Sequence, residues 1–283
     1  MNDQTRKVQA YYDSSQWIYK LFCYNGALSM HHGFWHKDTK TMQEAMTNED
    51  QFIMDLAKIN FDSRVLDAGC GVGGTAIAIA KKTRAKIVGI TLSLKQAKLA
   101  QRYAIKNNVR NNTEFAVQDY AQMDFRDNSF DVIYGIESLC HGYPKLGFLK
   151  EAFRLLKPGG ILVIADGYAS RPPTTEKEIE ITERFKSAFA LVELITPDEM
   201  TRYLKKAGYV KIKEFPKIDE VAPSILHFHK LGRFTGPLIK ISSYLPFSSA
   251  KALYKNNVAS KCEYDGLKIG LASYYVHYAE KPK

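Results

Sequence analysis

The stretch from Val65 to Ser93, VLDAGCGVGGTAIAIAKKTRAKIVGITLS, decides the fold. It reads as a buried strand, a glycine-rich turn, a short apolar helix and a second strand, with Asp67 at the end of the first strand. Gly69, Gly71, Gly73 and Gly74 let the backbone turn sharply and bring a ligand against main-chain N–H groups, at which the next helix aims its N-terminus. Dinucleotide-binding folds use a similar turn, so the glycines alone leave the ligand open. Two features narrow it. The pattern is D-x-G-x-G-x-G, and the second strand, KIVGITLS, ends without the acid that would hold the adenosine ribose of a nicotinamide cofactor. The dinucleotide reading is therefore the minor one.

Working outward, strands recur at regular intervals. NTEFAVQDY gives a third, ending in Gln118, Asp119 and Tyr120. SFDVIYGIESLCHG gives a fourth, with Glu137, Ser138, Cys140 and His141 past its end. LGFLKEAFRLLKPGG reads as an amphipathic helix closed by a Pro-Gly-Gly turn, followed by a fifth strand, ILVIADGYA. VKIKEFP is a sixth, and a last strand runs from about Leu271 to Ala279. Strands alternating with helices imply right-handed crossovers and a parallel sheet. Ligand chemistry then belongs at the C-terminal strand ends, where Asp67, Thr91, Asp119 and Glu137 fall.

Two segments flank this frame. Residues 5 to 25 place Val8, Tyr11, Tyr12, Trp17, Ile18, Leu21 and Phe22 near helical spacing on either side of Asp13-Ser14-Ser15, which suggests two short helices. The loop GALSMHHGFW and an amphipathic helix from Thr41 to Ile59 follow. Between residues 217 and 268, apolar positions including Val221, Ile225, Phe228, Leu238, Ile241, Tyr244, Leu245 and Phe247 are too many for a solvent loop. They predict a helical lid over a hydrophobic substrate, with a homodimer contact as the competing reading.

The composition, 45% hydrophobic and 25% charged over 283 residues, is that of a globular protein. Neither a signal peptide nor a membrane span is expected, which points to a cytoplasmic protein. Cys23, Cys70, Cys140 and Cys262 form no metal-ligand spacing and read as reduced thiols, so no metal is expected. The net charge of +10 comes from scattered basic residues, which argues against nucleic acid and leaves open a weak peripheral membrane contact or a phosphorylated substrate.

Together DAGCGVGG from Asp67, VQDY at 117 to 120, DNSFDVIYGIES at 127 to 138 and LKPGG at 156 to 160 resemble the successive motifs of the Rossmann-like S-adenosylmethionine-dependent methyltransferases. VGITLSLKQ, IESLCH and YYDSSQ…MHHGFW are similar to the subgroup of sterol C-methyltransferases, tocopherol methyltransferases and cyclopropane fatty acid synthases. The resemblance implies an α/β fold with a seven-stranded, mostly parallel sheet whose last strand is antiparallel. Its parts would be a helical cap (1–60), a cofactor-binding core (61–216), a helical lid insertion (217–268) and the last core strand (269–283). It also implies S-adenosyl-L-methionine as cofactor. Asp67, Gly69, Cys70, Gly71 and Gly73 would hold its amino-acid part. Thr91, Leu92 and Gln96 would hold the ribose, and Gln118, Asp119 and Tyr120 the adenine. Each has a packing alternative: a strand-end cap for Asp67, a turn for Asp119, a helix surface for Gln96.

Methyl transfer is an in-line displacement that chiefly requires alignment and exclusion of water. Glu137 could balance a carbocation or remove a proton, and also adjoin the cofactor; His141 could be a base toward a hydroxyl. His31 and His32 sit in a loop that the resemblance places over the cofactor. The expected acceptor is a small, largely apolar isoprenoid, sterol-like or prenylated aromatic molecule, with C-methylation favoured. The alternatives are an O- or N-methyltransferase of a glycosylated or alkaloid-like natural product, and a non-catalytic lipid-binding protein on the same fold.

Overall fold

The computed structural model describes residues 3–22, 28–29, 31–242 and 248–283, with no side-chain detail for 3, 15–22, 241–242 and 248–249. Cys23, Tyr244, Leu245 and Phe247, and the side chains of Trp17, Ile18, Leu21, Phe22 and Ile241, thus lie outside the described residues. Seven strands form one sheet: β1 (Arg64–Ala68), β2 (Lys86–Thr91), β3 (Thr113–Val117), β4 (Phe130–Ile136), β5 (Leu156–Ala169), β6 (Val210–Pro216) and β7 (Ala272–Glu280). Their order is β3-β2-β1-β4-β5-β7-β6. The first five pair in parallel and β7 runs antiparallel to both β5 and β6, as the sequence implied.

Alternation along the central strands sorts the core into two layers. Val65, Val132, Tyr134, Val163 and Ala165 face one side, against α2 (Met42–Leu56) and α3 (Gly74–Thr83). Leu66, Ile133, Leu162 and Ile164 face the other, against α5 (Lys145–Leu155) and α7 (Pro197–Lys206). Each such fully buried aliphatic side chain contributes roughly 1.5–3 kcal/mol, which fixes the strand register and with it the level of the strand ends.

The remaining helices surround those ends. They are α1 (Asp3–Phe22), α4 (Leu94–Lys106), α6 (Glu176–Phe189), α8 (Ile218–Ser242) and α9 (Ser248–Lys268). The N-terminal segment is one helix rather than two: Ser14 turns its hydroxyl back to the Tyr11 carbonyl at 2.9 Å and stays within the helical turn. LKPGG also differs from its expected turn. It belongs to β5, where Leu156 pairs with Phe130 before a register shift, and Gly159 takes φ +77°. No helix among the described residues is long and apolar enough to cross a membrane.

Gly73 caps the N-terminus of α3 in the left-handed region, φ +83°, and a Cβ there would lie 2.8 Å from the Phe115 ring. Gly73→Ala should therefore combine left-handed strain with overpacking, about 2–4 kcal/mol together. Urea denaturation should show the loss; a change below about 1 kcal/mol would mean that the turn relaxes freely.

Candidate active site

At the C-terminal ends of β1, β2, β4 and β5 lies a cavity of about 590 Å³. The glycine turn forms one wall. Gly69 N and Cys70 N both donate to the Ile90 carbonyl, at 3.0 and 2.9 Å, and Ser138 Oγ donates to the Ala68 carbonyl at 2.6 Å, so the turn is pinned to β2 and to the end of β4. Gly71, at φ +53°, has open space where a side chain would stand, which leaves its backbone free for a ligand. Asp67 is buried at the base, and burial pushes its carboxyl up to about 7.

The segment after β2 folds back on itself. Ser93 caps α4, its hydroxyl accepting from Gln96 N, and Thr91 Oγ1 donates to Gln96 Oε1 at 2.7 Å. Thr91, Leu92 and Gln96 all line the cavity, as do Gln118 and Tyr120; the Tyr120 hydroxyl donates to the Ser138 carbonyl. Cys70 lines it too, and Cys70, Cys140 and Cys262 are unpaired. The acid missing from the end of β2 in sequence arrives from α1: Asp13 Oδ1 accepts from Ser93 Oγ at 2.5 Å.

Two expected cofactor residues fall elsewhere. Asp119 is outside the cavity lining: Oδ1 accepts from Ala121 N in a local turn and Oδ2 from Thr5 Oγ1 of α1, both at 2.9 Å. Gly73 lies beneath the turn, against Phe115 and Ala100, and shapes the wall without reaching it.

The four candidate catalytic residues all line the cavity, in different states. Glu137 sits just past β4 with φ +46°, a conformation uncommon for a non-glycine residue. Its Oε1 accepts from His32 N and lies 2.8 Å from His32 Nδ1. His32 Nε2 in turn lies 3.1 Å from Glu263 Oε1 of α9. Against the cost of burial, Glu137 and then Glu263 hold His32 well above its ordinary value, so it is an imidazolium. His32 in return keeps Glu137 ionised and below the usual range, although burial opposes this.

The chain of contacts continues. The Tyr274 hydroxyl of β7 lies 3.3 Å from Glu137 Oε1 and 2.9 Å from Glu49 Oε1 of α2. Glu49 Oε2 lies 2.6 Å from His31 Nδ1. Burial works against charge on His31, but Glu49 and Asp50 overcome it and raise it to about 9. His31 is thus a cation fixed between α2 and the Thr75 hydroxyl of α3.

His141 is the opposite case. Its Nε2 lies 2.9 Å from the Tyr12 hydroxyl, and burial, aided by Lys145, pushes it down to about 3. It is neutral and a weak base, which counts against the role of hydroxyl base expected for it. Sequence reasoning missed Glu49, Glu263, Tyr274 and Asp166. Asp166, in β5 one residue past its pairing with β4, is buried, accepts from Cys140 N at 2.7 Å and is pushed up to about 7 by burial. An acid within an otherwise apolar strand was the available signal.

The rest of the lining, from α1, α6, α8 and α9, is mostly apolar, with Tyr11, Phe185, Phe189, Phe228, Leu231 and Leu253 prominent, and is interrupted by Gln9, Thr182, Thr235, Asn256, Asn257 and Ser260. The chain carries 40 Lys and Arg residues, yet among the described residues none lines this cavity. No group of three His, Cys, Asp or Glu side chains among the described residues is arranged to hold a metal.

Such a cavity, at the strand ends of a doubly wound sheet under a glycine turn, defines a nucleotide-type cofactor site adjoining an apolar compartment. Residues 1–217 match the mycolic acid cyclopropane synthetase family. Sterol 24-C-methyltransferase of Schizosaccharomyces pombe is 29% identical over 82% of this chain and 60% of its own length. The 27-O-demethylrifamycin SV methyltransferase of Amycolatopsis mediterranei is 32% identical over 64% of this chain and 66% of its own. The chain thus spans about 60–66% of these two relatives. Among solved structures, the (4+2)-cyclase SpnF shares the fold at TM-score 0.81 and 21% identity, over 98% of this chain and 96% of its own. The chain belongs to the mycolic acid cyclopropane synthetase family.

The buried charges set the pH response. His31, raised to about 9, contributes stability that is complete below about 6.5 and lost as pH rises through 9, on the order of 3 kcal/mol. Asp50, Asp67 and Asp166, raised to about 6, 7 and 7, hold protons that the unfolded chain has released, so they too lower stability as pH rises from about 4 to 7. The ligand-free protein should melt at a higher temperature at pH 6 than at pH 9, and His31→Gln should flatten the decline between 6.5 and 9. Calorimetric scans showing the reverse slope would refute this charge assignment.

Proposed function

We propose that the chain is an S-adenosylmethionine-dependent methyltransferase that alkylates carbon in a largely apolar, uncharged acceptor of isoprenoid or sterol-like type. The observation that carries this reading is the pairing of a cofactor-type strand-end turn with an apolar cavity in which Glu137, ionised beside His32, is the charged group at the end of β4. The donor set fits the cofactor. Asp67 and the open backbone at Gly71 suit an amino-acid group, the Thr91 and Gln96 side chains suit ribose hydroxyls, and Gln118 and Tyr120 suit an adenine. When bound, the cofactor supplies an electrophilic methyl group.

The chain's own residues do the rest. Apolar walls align an alkene and exclude water, which strengthens every electrostatic contact inside. Methyl transfer to an alkene carbon would form a C–C bond at the expense of the donor's C–S bond and leave positive charge on the neighbouring acceptor carbon. The Glu137 carboxylate, preorganised by His32 and Tyr274, lies in the same cavity to stabilise that charge and to take the proton whose loss restores a double bond. Neutral His141, already engaged by Tyr12, is poorly suited to deprotonate a hydroxyl, which favours carbon over oxygen. The absence of Lys and Arg from the described lining disfavours a phosphorylated acceptor. The sterol 24-C-methyltransferase likeness supports the same substrate class. A reducing, cytoplasmic setting suits the unpaired thiols.

Calorimetry with S-adenosylhomocysteine tests the cofactor, and absence of binding would sink the whole reading. With binding established, Glu137→Gln should bind S-adenosylhomocysteine within about threefold of the parent while kcat toward unsaturated isoprenoid or sterol acceptors falls by about 10²–10³. Unchanged turnover in that variant would remove Glu137 from the chemistry and leave only positional catalysis.

A further inference from the structure

Charge is distributed unevenly along the chain in a way that the overall balance of +10 conceals. From Val221 to Cys262 there is no Asp or Glu, while Lys230, Arg233, Lys240, Lys251, Lys255 and Lys261 all fall within it. This run makes up most of α8 and α9, which pack against each other. All six basic residues are exposed, and one of them, Lys261, is paired with Asp265 one turn further along α9 at 2.5 Å.

The same surface carries the most exposed large apolar side chains among the described residues. Phe234 is 85% and Leu238 74% exposed, one helical turn apart on α8, with Leu226 two turns earlier and Pro237 beside them. Lys230, Arg233 and Lys240 flank them. A soluble helix does not ordinarily present an aromatic ring almost wholly to water. Apolar residues rimmed by basic ones on one helix face are what an anionic bilayer surface receives: the apolar groups enter the boundary of the acyl chains while the lysines and arginines meet the headgroups.

Position ties this face to the cavity. Leu238 is both exposed and part of the cavity wall, and Phe228, Leu231 and Thr235 line the interior from the adjoining face of α8. This helix thus stands between the apolar compartment and solvent, and Leu238 reaches both. Its first turns are anchored to the site: Ser224 Oγ donates to the His32 carbonyl at 2.5 Å and accepts from Trp35 Nε1 at 2.7 Å.

We propose that the α8–α9 face docks on anionic phospholipid bilayers, with Phe234 and Leu238 entering the interface and the basic residues holding headgroups, so that the helix that walls the cavity lies on the membrane. Docking is a property of the exterior face and does not depend on the methyl-transfer reading. An apolar ring at the centre of the basic face favours a bilayer over nucleic acid, whose backbone offers nothing for it to enter.

Flotation with phosphatidylcholine vesicles, with and without about one-third phosphatidylserine, tests this in the full-length protein. Binding should require phosphatidylserine and weaken as salt rises. Lys230→Glu with Arg233→Glu should reduce partitioning by at least 25-fold, from about fivefold for each charge lost. Phe234→Ser should weaken it at unchanged salt dependence. Neither substitution touches the cavity lining, so S-adenosylhomocysteine affinity and melting temperature should stay at parent values, and a drop in either would assign the face to folding instead. Equal binding to neutral vesicles, failure of the parent to float, preferential retention by duplex DNA, or loss of a parent dimer in Phe234→Ser measured by light scattering without vesicles would each overturn the proposal.

Discussion

His32 carries a buried positive charge between Glu137 at the end of β4 and Glu263 on α9, and these two carboxylates hold that charge against the cost of burial. An isolated imidazolium at this depth would lose its proton, and an isolated Glu137 would gain one. Removing one partner of such a group strands the others, at a cost of about 3–5 kcal/mol. Because Tyr274 and Glu49 extend the chain to His31, one continuous line of polar contacts joins α9, the histidine loop, β4, β7 and α2 around the cavity. Elements distant in sequence therefore share a single electrostatic condition.

That condition explains why a polar network tolerates an apolar cavity. Glu137, Glu263 and Glu49 face two histidine cations, and Asp67 and Asp166 sit nearby with raised proton affinities. The site is short of positive charge and holds no lysine or arginine among its described lining residues to supply it. Low dielectric magnifies the deficit. On the proposed reading, a cationic donor and a developing carbocation would be stabilised by such a site more than by water, and an anionic acceptor would be repelled.

The sheet was legible in the sequence because its signals are local: a glycine turn at 69–74, apolar runs of strand length, and connections of the expected span. Thr91 and Gln96 were marked for the site by the resemblance of the TLSLKQ segment, whereas the hydrogen bond between them was not foreseen. Asp119 shows the limit, since an acid after a strand marks a ligand contact and an Asx turn equally, and Thr5 of a distant helix engages its other oxygen. Glu49 and Glu263 were illegible: acids on amphipathic helices look like solvated faces until tertiary packing turns them inward. Asp13 likewise reaches Ser93 across eighty residues of chain. The expected break at Asp13-Ser14-Ser15 failed because the Ser14 hydroxyl found its partner within the helix.

Charge of opposite sign thus occupies the two sides of one helical pair. The inner side of α9 contributes Glu263 to the imidazolium, while the outer sides of α8 and α9 carry the uninterrupted basic run. Folding sets these groups on opposite surfaces of the pair, where solvent screening weakens their attraction across it. Neither sign is wasted on the other: the interior remains receptive to a cation and the exterior to an anionic surface. A sequence average reports only the residue of this separation, which is why a net charge of +10 describes neither the cavity nor the face that covers it.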